Sequence, residues 1–341
     1  MVKKRFVLSG YFGFKNFGDE AILSVIVKKL KEYGHKVTVL SSDPPYTKGK
    51  FKYIRCVNMF KIPDVLGAIS RTDFVISGGG SLLQDTTSLK SLLYYLFVIF
   101  LGLISGKKVI IFAQGIGPIN TPVGKFLTAA LLKRCTYVSV RDFKSFELLK
   151  KWGVNSELLC DPIFSSTVPD CEKTNTLAVQ LRDCKNMSED FIDRLAQAVV
   201  KRFANVDVDI YSFQDAIDLE VCQKFEKALK LLNSDIKTKI YSSLTDEETI
   251  NNLARAKYMI AMRFHALIVG LISGVRVLGI NYDIKVEKLS NEFGFPLIGL
   301  NKDFGNPEMN LLENQDLDEI KAKLTLKNFN WASFEKVINQ E

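Results

Sequence analysis

The chain has 341 residues, of which 47% are hydrophobic and 25% are charged, and its formal net charge is +8. These proportions are typical of globular proteins and exclude a disordered chain. The length exceeds what one hydrophobic core usually supports, so two domains are expected. The positive charge favours an anionic partner, which would be a phosphorylated substrate, nucleic acid or an acidic membrane surface. Because no tract combines clustered lysine and arginine with aromatic residues, we expect no nucleic acid.

The six cysteines are scattered, without a Cys-x-x-Cys pair or a nearby histidine. This pattern predicts free thiols in a reducing cytoplasm and no zinc site. Residues 1–10 lack the long apolar stretch and the small-residue cleavage site of a signal peptide, which also favours a cytoplasmic location.

The first half of the chain alternates short apolar strands with amphipathic helices, a pattern typical of parallel β-α-β units. Strands are predicted at residues 5–9, 36–40, 74–77, 108–113 and 137–140. Helices are predicted at residues 20–33 and 144–152.

One uncharged segment, Leu92–Ile104, suggests contact with a membrane. As a helix it would extend about 20 Å, whereas the hydrocarbon core of a bilayer is about 30 Å thick. We therefore predict a buried helix between the sheet and the partner domain. The alternative is a patch that touches a membrane surface, which the positive charge of the chain supports.

The same alternation resumes after a polar segment at residues 169–175. Strands are predicted at residues 177–181, 208–211, 237–241, 258–261 and 276–280, followed by one terminal helix at 316–324. The predicted domains are residues 1–168, residues 176–315, and a C-terminal helix and tail of residues 316–341.

Glycine and polar residues follow the first predicted strand. Gly13, Asn16 and Gly18 form a loop that would expose backbone amides before a helix. Their spacing fits neither a dinucleotide fingerprint nor a phosphate-binding P-loop. Asp19 would either act in chemistry or serve as the N-cap of that helix.

Three consecutive glycines follow the strand at residues 74–77. Such a run costs chain entropy unless the backbone must approach another group closely. A ligand-facing turn is therefore predicted, and tight packing against the other domain is the alternative. The candidate residues of this turn and of the next strand end are Gly79, Gly80, Gln84, Asp85 and Gln114.

Cations also follow predicted strands. Arg141 comes after the strand at 137–140, and Arg263 and His265 lie where the strand at 258–261 gives way to a helix. An arginine and an imidazole on one such turn would bind a phosphate or carboxylate, or would cap the helix and hold a neighbouring loop. Because ligands of open α/β sheets bind at the carboxyl ends of strands, the accumulation of such turns favours a ligand site.

The segments that carry the strongest combined signal are Gly13–Leu23, Ser77–Asp85, Gln114–Pro118, Ser139–Asp142, Asp161-Pro162, Arg263–Ile268 and Tyr282–Lys285. In this order and spacing they resemble the polysaccharide pyruvyl transferase family, in particular the CsaB type that adds a pyruvate ketal to cell-wall polymers. The resemblance implies an α/β fold of two Rossmann-like domains facing a central cleft, similar to the GT-B glycosyltransferases. It also implies phosphoenolpyruvate as donor and a saccharide, often lipid-diphosphate-linked, as acceptor.

The resemblance further implies donor contacts by Arg141, His265 and Lys285, with Arg263 beside them. Phosphoenolpyruvate carries a phosphate and a carboxylate, which several converging cations would bind. Ketal formation requires a general acid and a base near the operating pH. His265 is the candidate for proton transfer, and Asp19 or Asp283 is the candidate base. Because the acidic residues at strand ends are single, neither a metal nor another cofactor is expected.

Two other functions fit the same residues. A nucleotide-sugar glycosyltransferase would also need cations for a diphosphate, and the fold alone does not separate it from a pyruvyl transferase. A non-catalytic module for anionic glycans or lipid diphosphates would also suit the positive charge. We rank the pyruvyl transferase first, acting in the cytoplasm on a cell-wall precursor at the inner face of the membrane.

Overall fold

The computed structural model describes residues 2–184, 187–188, 190–302, 304, 306–327 and 329–339. The chain divides into two compact units. The first contains Met1–Ser165 and Asn328–Glu341, and the second contains Ser166–Lys327. The last residues of the chain therefore return to the unit in which the chain begins.

The first unit is built on parallel strands. They are β1 (Arg5–Ser9), β2 (Lys36–Ser41), β3 (Arg55–Asn58), β4 (Phe74–Gly78), β5 (Lys108–Gln114), β6 (Tyr137–Val140) and β7 (Glu157–Leu158). Within the described residues they form one seven-stranded sheet in the order β3-β2-β1-β4-β5-β6-β7. The chain thus starts in the middle of the sheet, builds one side and then crosses to the other, as in a Rossmann fold.

The helices of this unit connect consecutive strands. They are α1 (Phe17–Glu32), α2 (Pro44–Lys50), α3 (Ile62–Ser70), α4 (Leu89–Ile104), α5 (Pro122–Leu132) and α6 (Phe143–Lys151). Helix α1 begins where the Asn16 side chain accepts a hydrogen bond from the backbone N–H of Gly18. It ends before Gly34, whose φ of 73° is accessible to glycine at little cost.

One face of the first sheet is covered by α3, α4 and α5. Val75 of β4 and Val109 of β5 share a buried cluster with Val65 of α3 and Ile99 of α4. A Cβ atom on Gly102 would lie 2.9 Å from Val109, so this glycine lets α4 approach the strands closely. The valine-rich strands and the apolar helices therefore form one continuous core.

The segment Leu92–Ile104 forms a helix, but the prediction that this helix is buried is only half right. Leu92 and Leu96 pack into the core, whereas Phe100 and Ile104 are exposed. The reason is that the segment is apolar on all sides, while the sheet covers only one side of α4. Among the described residues, no helix combines the length and the apolar character needed to cross a membrane.

The second unit repeats the architecture. Its strands are β8 (Thr176–Gln180), β9 (Asp207–Tyr211), β10 (Thr238–Tyr241), β11 (Tyr258–Ala261), β12 (Arg276–Asn281) and β13 (Leu297–Gly299). Its helices are α7 (Phe191–Arg202), α8 (Asp215–Leu232), α9 (Asp246–Leu253), α10 (Phe264–Ile272), α11 (Ile284–Phe293), α12 (Asn306–Glu313) and α13 (Leu317–Leu326). In the described part of this unit the strands form a parallel sheet in the order β10-β9-β8-β11-β12-β13.

The C-terminal segment corrects the prediction of one terminal helix followed by a tail. Beyond α13 lies a further helix, α14 (Ala332–Asn339), which belongs to the first unit. The Phe112 ring packs against the rings of Trp331 and Phe334, with centroids 5.3 and 4.9 Å apart. The Tyr33 hydroxyl donates to Glu335 at 2.5 Å. These contacts dock the tail on the sheet by aromatic packing.

The Asp209 side chain in β9 allows a test of how deeply the second sheet buries a carboxyl group. It stands opposite Lys239 of β10, and burial raises the pKa of its carboxyl to about 6, partly offset by Lys239. Because the folded pKa lies above the ordinary 3.8, the native state binds this proton more tightly than the unfolded chain. The carboxyl is therefore least destabilising below pH 3.8 and becomes fully destabilising above about pH 6.

We expect Asp209→Asn to raise the melting temperature at pH 8 and to raise it less at pH 5. The exposed Asp235, which precedes β10, supplies the control, because Asp235→Asn should shift the melting temperature by a similar small amount at both pH values. Thermal unfolding of the three proteins at both pH values checks this. A gain for Asp209→Asn that does not grow with pH would contradict it.

Candidate active site

The predicted site residues all lie at the carboxyl ends of parallel strands. In the first unit, Gly13, Asn16, Gly18 and Asp19 follow β1, and Gly79, Gly80, Gln84 and Asp85 follow β4. Gln114 ends β5, and Arg141 follows β6. In the second unit, Arg263 and His265 follow β11, and Lys285 follows β12. Both sheets change strand order beside these turns, between β1 and β4 and between β8 and β11, where open α/β sheets bind ligands.

The turn after β1 is held by a buried acidic residue that the sequence analysis did not single out. Gly13 has a φ of 84°, and its N–H donates to Glu20 Oε1 at 2.7 Å. Lys50 Nζ lies 3.5 Å from Glu20 Oε2, in a pair with both side chains less than 10% exposed. The glycine and this ion pair fix the path of the loop. The N-cap of α1 is Asn16, so the alternative of Asp19 as the cap is wrong.

Asp19 instead packs against the glycine turn after β4. Its side chain is buried, and a Cβ atom on Gly80 would lie 2.6 Å from Asp19 Oδ1. Gly79 and Gly80 have φ values of 96° and 49°. The Asp19 charge also contributes, after burial, to the raised pKa of Tyr95. The glycine turn therefore makes room for the Asp19 carboxylate of the same unit. The sequence suggested two other interpretations, a ligand-facing turn and tight packing against the other domain.

Gln84 and Asp85 use their oxygens to shape loops. Gln84 Oε1 accepts the backbone N–H groups of Thr86 and Thr87 at 2.8 and 3.1 Å. Asp85 accepts those of Asn120 and Thr121 at 2.7 and 2.8 Å, and these bonds lower the pKa of its carboxyl. Both residues have structural roles, and their contact with a ligand stays a prediction.

Gln114 is fully buried at the end of β5. Its Nε2 donates to Ser77 Oγ of β4 at 3.0 Å. Among the described residues, no hydrogen-bond partner is found for its Oε1 atom. An unsatisfied buried amide oxygen is uncommon. A hydrogen-bond donor placed next to Gln114 Oε1 would therefore be stabilised at this strand end.

Arg141 is buried in an ion pair. Its Nη1 donates to Asp161 Oδ2 at 2.5 Å, and its Nη2 donates to Ser81 Oγ at 3.1 Å. The two charged side chains are 7% and 2% exposed. Since Asp161 also accepts the N–H of Ile163, the carboxylate is fixed from two sides. Arg141 thus links the ends of β4 and β6 to the segment after β7.

Arg263 forms the corresponding pair in the second unit. Its Nε and Nη2 donate to the two oxygens of Asp218 at 2.8 and 2.6 Å, in the bidentate geometry that suits a guanidinium. Asp218 is completely buried and also accepts the N–H groups of Phe213 and Gln214, both at 3.1 Å. The backbone N–H of Arg263 donates to Gln180 Oε1 at 2.8 Å. The turn between β11 and α10 is therefore rigidly positioned.

His265 follows Arg263 in the first turn of α10, and its side chain is partly exposed. The amino end of a helix carries a partial positive charge and presents N–H groups to an anion. Lys285 occupies the first turn of α11 and is exposed. Asp283, one of the two candidate bases, caps that helix by accepting the N–H of Lys285 at 2.9 Å.

The second unit contains two further candidates beyond the predicted donor residues. Arg182 follows β8, and its guanidinium carbon lies 5.7 Å from the ring centre of Tyr282, which follows β12. Its signal was its position after a strand, which it shares with Arg263. Asp218 had no local signal, because it lies in α8 and meets Arg263 only through the fold. The adjacent strands β8, β11 and β12 thus end in Arg182, His265 and Lys285.

The predicted donor residues are divided between the two units. Arg141 belongs to the first, and Arg263, His265 and Lys285 belong to the second. Their joint action on one donor stays a prediction. Within the described residues, no group of three or more histidine, cysteine, aspartate or glutamate side chains is arranged to hold a metal ion.

Gly80→Ala tests the fit of Asp19 into the glycine turn. The alanine must adopt a positive φ, and its Cβ would also clash with the Asp19 carboxylate. Gly106→Ala is the matched control, because Gly106 has a φ of 65° but a Cβ atom added there would meet no other atom within 4 Å. We expect Gly106→Ala to cost about 1 kcal/mol of unfolding free energy and Gly80→Ala clearly more. Equal losses in chemical denaturation would contradict this account.

Asp218→Asn tests the buried pair. It leaves the Arg263 charge uncompensated, so we expect a loss of about 3–5 kcal/mol in unfolding free energy. Adding Arg263→Met should recover part of that loss because it removes the charge. The control Glu220→Gln breaks an exposed ion pair with Lys224 in the same helix and should change stability little. A fully stable Asp218→Asn protein would show that the pair does not hold this turn.

Several solved structures share the fold of this chain. A protein described as a putative UDP-N-acetylglucosamine 2-epimerase from Listeria monocytogenes is 12% identical, with a TM-score of 0.64, covering 100% of this chain and 99% of that one. HepE from Anabaena, solved with UDP and glucose, is 11% identical with a TM-score of 0.63, covering 98% of each chain. At such low identities the likeness shows the fold alone, which is α/β with two Rossmann-like domains, similar to GT-B enzymes.

No curated protein sequence matches the chain significantly. The family model for polysaccharide pyruvyl transferases matches residues 16–284, a range that includes Asp19, Arg141, Arg263 and His265 and stops one residue before Lys285. Since this match covers well over half of the chain, and the strand-end residues that carry the resemblance lie almost entirely within it, the protein belongs to the polysaccharide pyruvyl transferase family.

Proposed function

We propose that the protein transfers the pyruvyl group of phosphoenolpyruvate to two hydroxyls of a saccharide, forming a ketal and releasing phosphate. The observation that carries this proposal is the family match across residues 16–284, together with the basic strand ends it contains. Transfer of a pyruvyl group to a polysaccharide is the activity for which the family is named.

The second unit supplies groups suited to the phosphate of the donor. His265 lies at the amino end of α10, and Arg182 and Lys285 follow the two strands that flank β11. The Arg263 guanidinium is paired with the Asp218 carboxylate. We therefore assign to Arg263 mainly the role of positioning the turn that carries His265. We therefore assign the attraction for the anionic donor mainly to Arg182, His265 and Lys285.

The reaction requires two additions to one carbon. Protonation of the methylene carbon of phosphoenolpyruvate produces a methyl group and an oxocarbenium-like centre at the neighbouring carbon. One sugar hydroxyl attacks this carbon and loses its proton. A second hydroxyl then displaces phosphate, which completes the ketal. The two hydroxyl protons balance the proton taken up by carbon and the proton released with phosphate.

These steps need a proton donor and an acceptor. We assign the acid role to His265, because an imidazole is the side chain best suited to proton transfer near neutral pH. We assign the base role to Asp19, which sits in the first unit against Gly80. Asp283 is the weaker candidate because it caps α11.

The proposed acceptor is a lipid-diphosphate-linked precursor of a cell-wall glycan, in keeping with the resemblance to the CsaB type. Such an acceptor would place the reaction at the inner face of the cell membrane. The net charge of +8 suits a diphosphate-bearing acceptor and an anionic donor.

The test is incubation of the protein with phosphoenolpyruvate and a panel of lipid-linked disaccharides. We expect phosphate release that depends on the acceptor, a product with the mass of the pyruvyl ketal, and full activity after chelation of metals. Release of a nucleoside diphosphate from a sugar nucleotide, without use of phosphoenolpyruvate, would instead identify a glycosyltransferase. Binding of glycans with neither reaction would identify a binding module.

Variants separate proton transfer from binding. His265→Gln keeps a neutral hydrogen-bonding group but cannot transfer a proton, so kcat should fall roughly 10²–10⁴-fold with a smaller change in donor KM. Lys285→Ala should mainly raise the donor KM, because it removes an electrostatic contact. Lys288→Ala, an exposed lysine of the same helix, is the control and should match the unaltered protein. A normal kcat with a raised donor KM in His265→Gln would leave His265 only a binding role.

A further inference from the structure

An apolar surface on the first unit has no role in the donor chemistry. It is formed by the outer sides of α3, α4 and α5, which face away from the sheet. Its members are Phe60, Ile62, Leu66, Leu89, Leu93, Phe97, Phe100, Ile104, Val123 and Phe126, and each is more than one third exposed. We call this set the α3–α5 surface.

The exposed residues of α4 form a single stripe. Leu89, Leu93, Phe97, Phe100 and Ile104 are spaced four, four, three and four residues apart, so they fall within an arc of about 80° on the helix. The rest of the helix packs on β4 and β5 and between α3 and α5. The apolar positions on the other two helices therefore continue the stripe on both sides.

The residues around this stripe are basic. Residues 86–134 contain six lysines and arginines and no aspartate or glutamate. Lys90 neighbours the stripe on α4, and Lys125 directly precedes Phe126 on α5, and both are exposed. On α3 the one acidic residue is Asp64, which is close in sequence to Lys61.

The geometry points to an anionic lipid bilayer as the partner of the α3–α5 surface: we propose that the first unit docks on the membrane with α4 lying in the plane of the interface. An apolar helix face flanked by lysines is typical of segments that bury in the headgroup region, and anionic lipids attract the flanking charges. A second copy of the chain fits less well. A two-fold contact would place the cations of both copies in one interface, where Asp64 is the one acidic residue of the three helices.

The proposal concerns binding to a surface and does not depend on the donor chemistry. Sedimentation with vesicles tests it directly. The full chain should bind vesicles of phosphatidylcholine and phosphatidylglycerol in equal amounts more tightly than vesicles of phosphatidylcholine alone. Added salt should weaken the difference, because the electrostatic part is screened.

Two sets of variants assign the effect to the surface. Ile104→Ser with Phe126→Ser should reduce binding about tenfold or more, because both side chains are largely exposed and would be buried in lipid. Lys90→Gln with Lys125→Gln should reduce binding to anionic vesicles about fivefold for each charge and leave binding to neutral vesicles unchanged. The controls are Leu231→Ser and Lys230→Gln, which alter exposed residues at the end of α8 in the second unit.

All of these positions are exposed, so thermal unfolding should show that the variants remain folded. Equal binding of the Ile104/Phe126 variant and the unaltered protein would overturn the proposal. Vesicle binding that is independent of anionic lipid would also overturn it. A concentration-dependent dimer that is lost in the same variant, without vesicle binding, would reassign the surface to a second copy of the chain. None of these outcomes depends on phosphoenolpyruvate, so failure here leaves the proposed reaction to be judged by its own test.

Discussion

Parallel pairing of the strands is the constraint on which the rest of the structure depends. Because neighbouring strands in each sheet run the same way, every turn that leaves a strand toward a helix emerges at the same edge. The glycine turns after β1 and β4 meet for this reason, and so do the ends of β8, β11 and β12. A single antiparallel strand would have sent its polar turn to the opposite edge. The glycine, polar and basic residues therefore cluster because of the sheet topology. Each turn needs only a local sequence that is compatible with the turns beside it.

Buried ion pairs then fix what the strands bring together. Arg141 with Asp161 and Arg263 with Asp218 are both largely removed from water. Such pairs add little net stability, because desolvation offsets much of their attraction, but losing one partner is costly. Their contribution is position: each aspartate also accepts backbone N–H groups, so each guanidinium is held in one place. The same pairing reduces the charge that each arginine offers to a ligand.

The first unit combines two surfaces of different character. One edge of its sheet carries the glycine turns with Asp19 and Gln114. One face is covered by α3, α4 and α5, whose outer sides are apolar and flanked by cations. Helix α4 is apolar on all sides, but one sheet covers only one of its faces. Its other apolar side chains therefore stay exposed. Docking as proposed would bring the enzyme to the proposed lipid-linked acceptor in the plane of the membrane, and the two surfaces would then serve one reaction.

The sequence by itself determined the fold class, and it placed the candidate site residues at the ends of predicted strands. Apolar runs bounded by glycine located β1, β2, β4 and β5, because a buried parallel strand needs a continuous apolar stretch and a sharp exit. It did not reveal β3 or α3, which are short, with four and nine residues. Only the tertiary structure showed that Asp218 holds Arg263, that Gly80 makes room for Asp19, and that the tail packs on Phe112. These contacts join residues far apart in the chain. A local sequence pattern indicates the secondary structure that a segment prefers. The residue that pairs with a buried charge, or packs against a buried ring, depends on the packing of the whole unit.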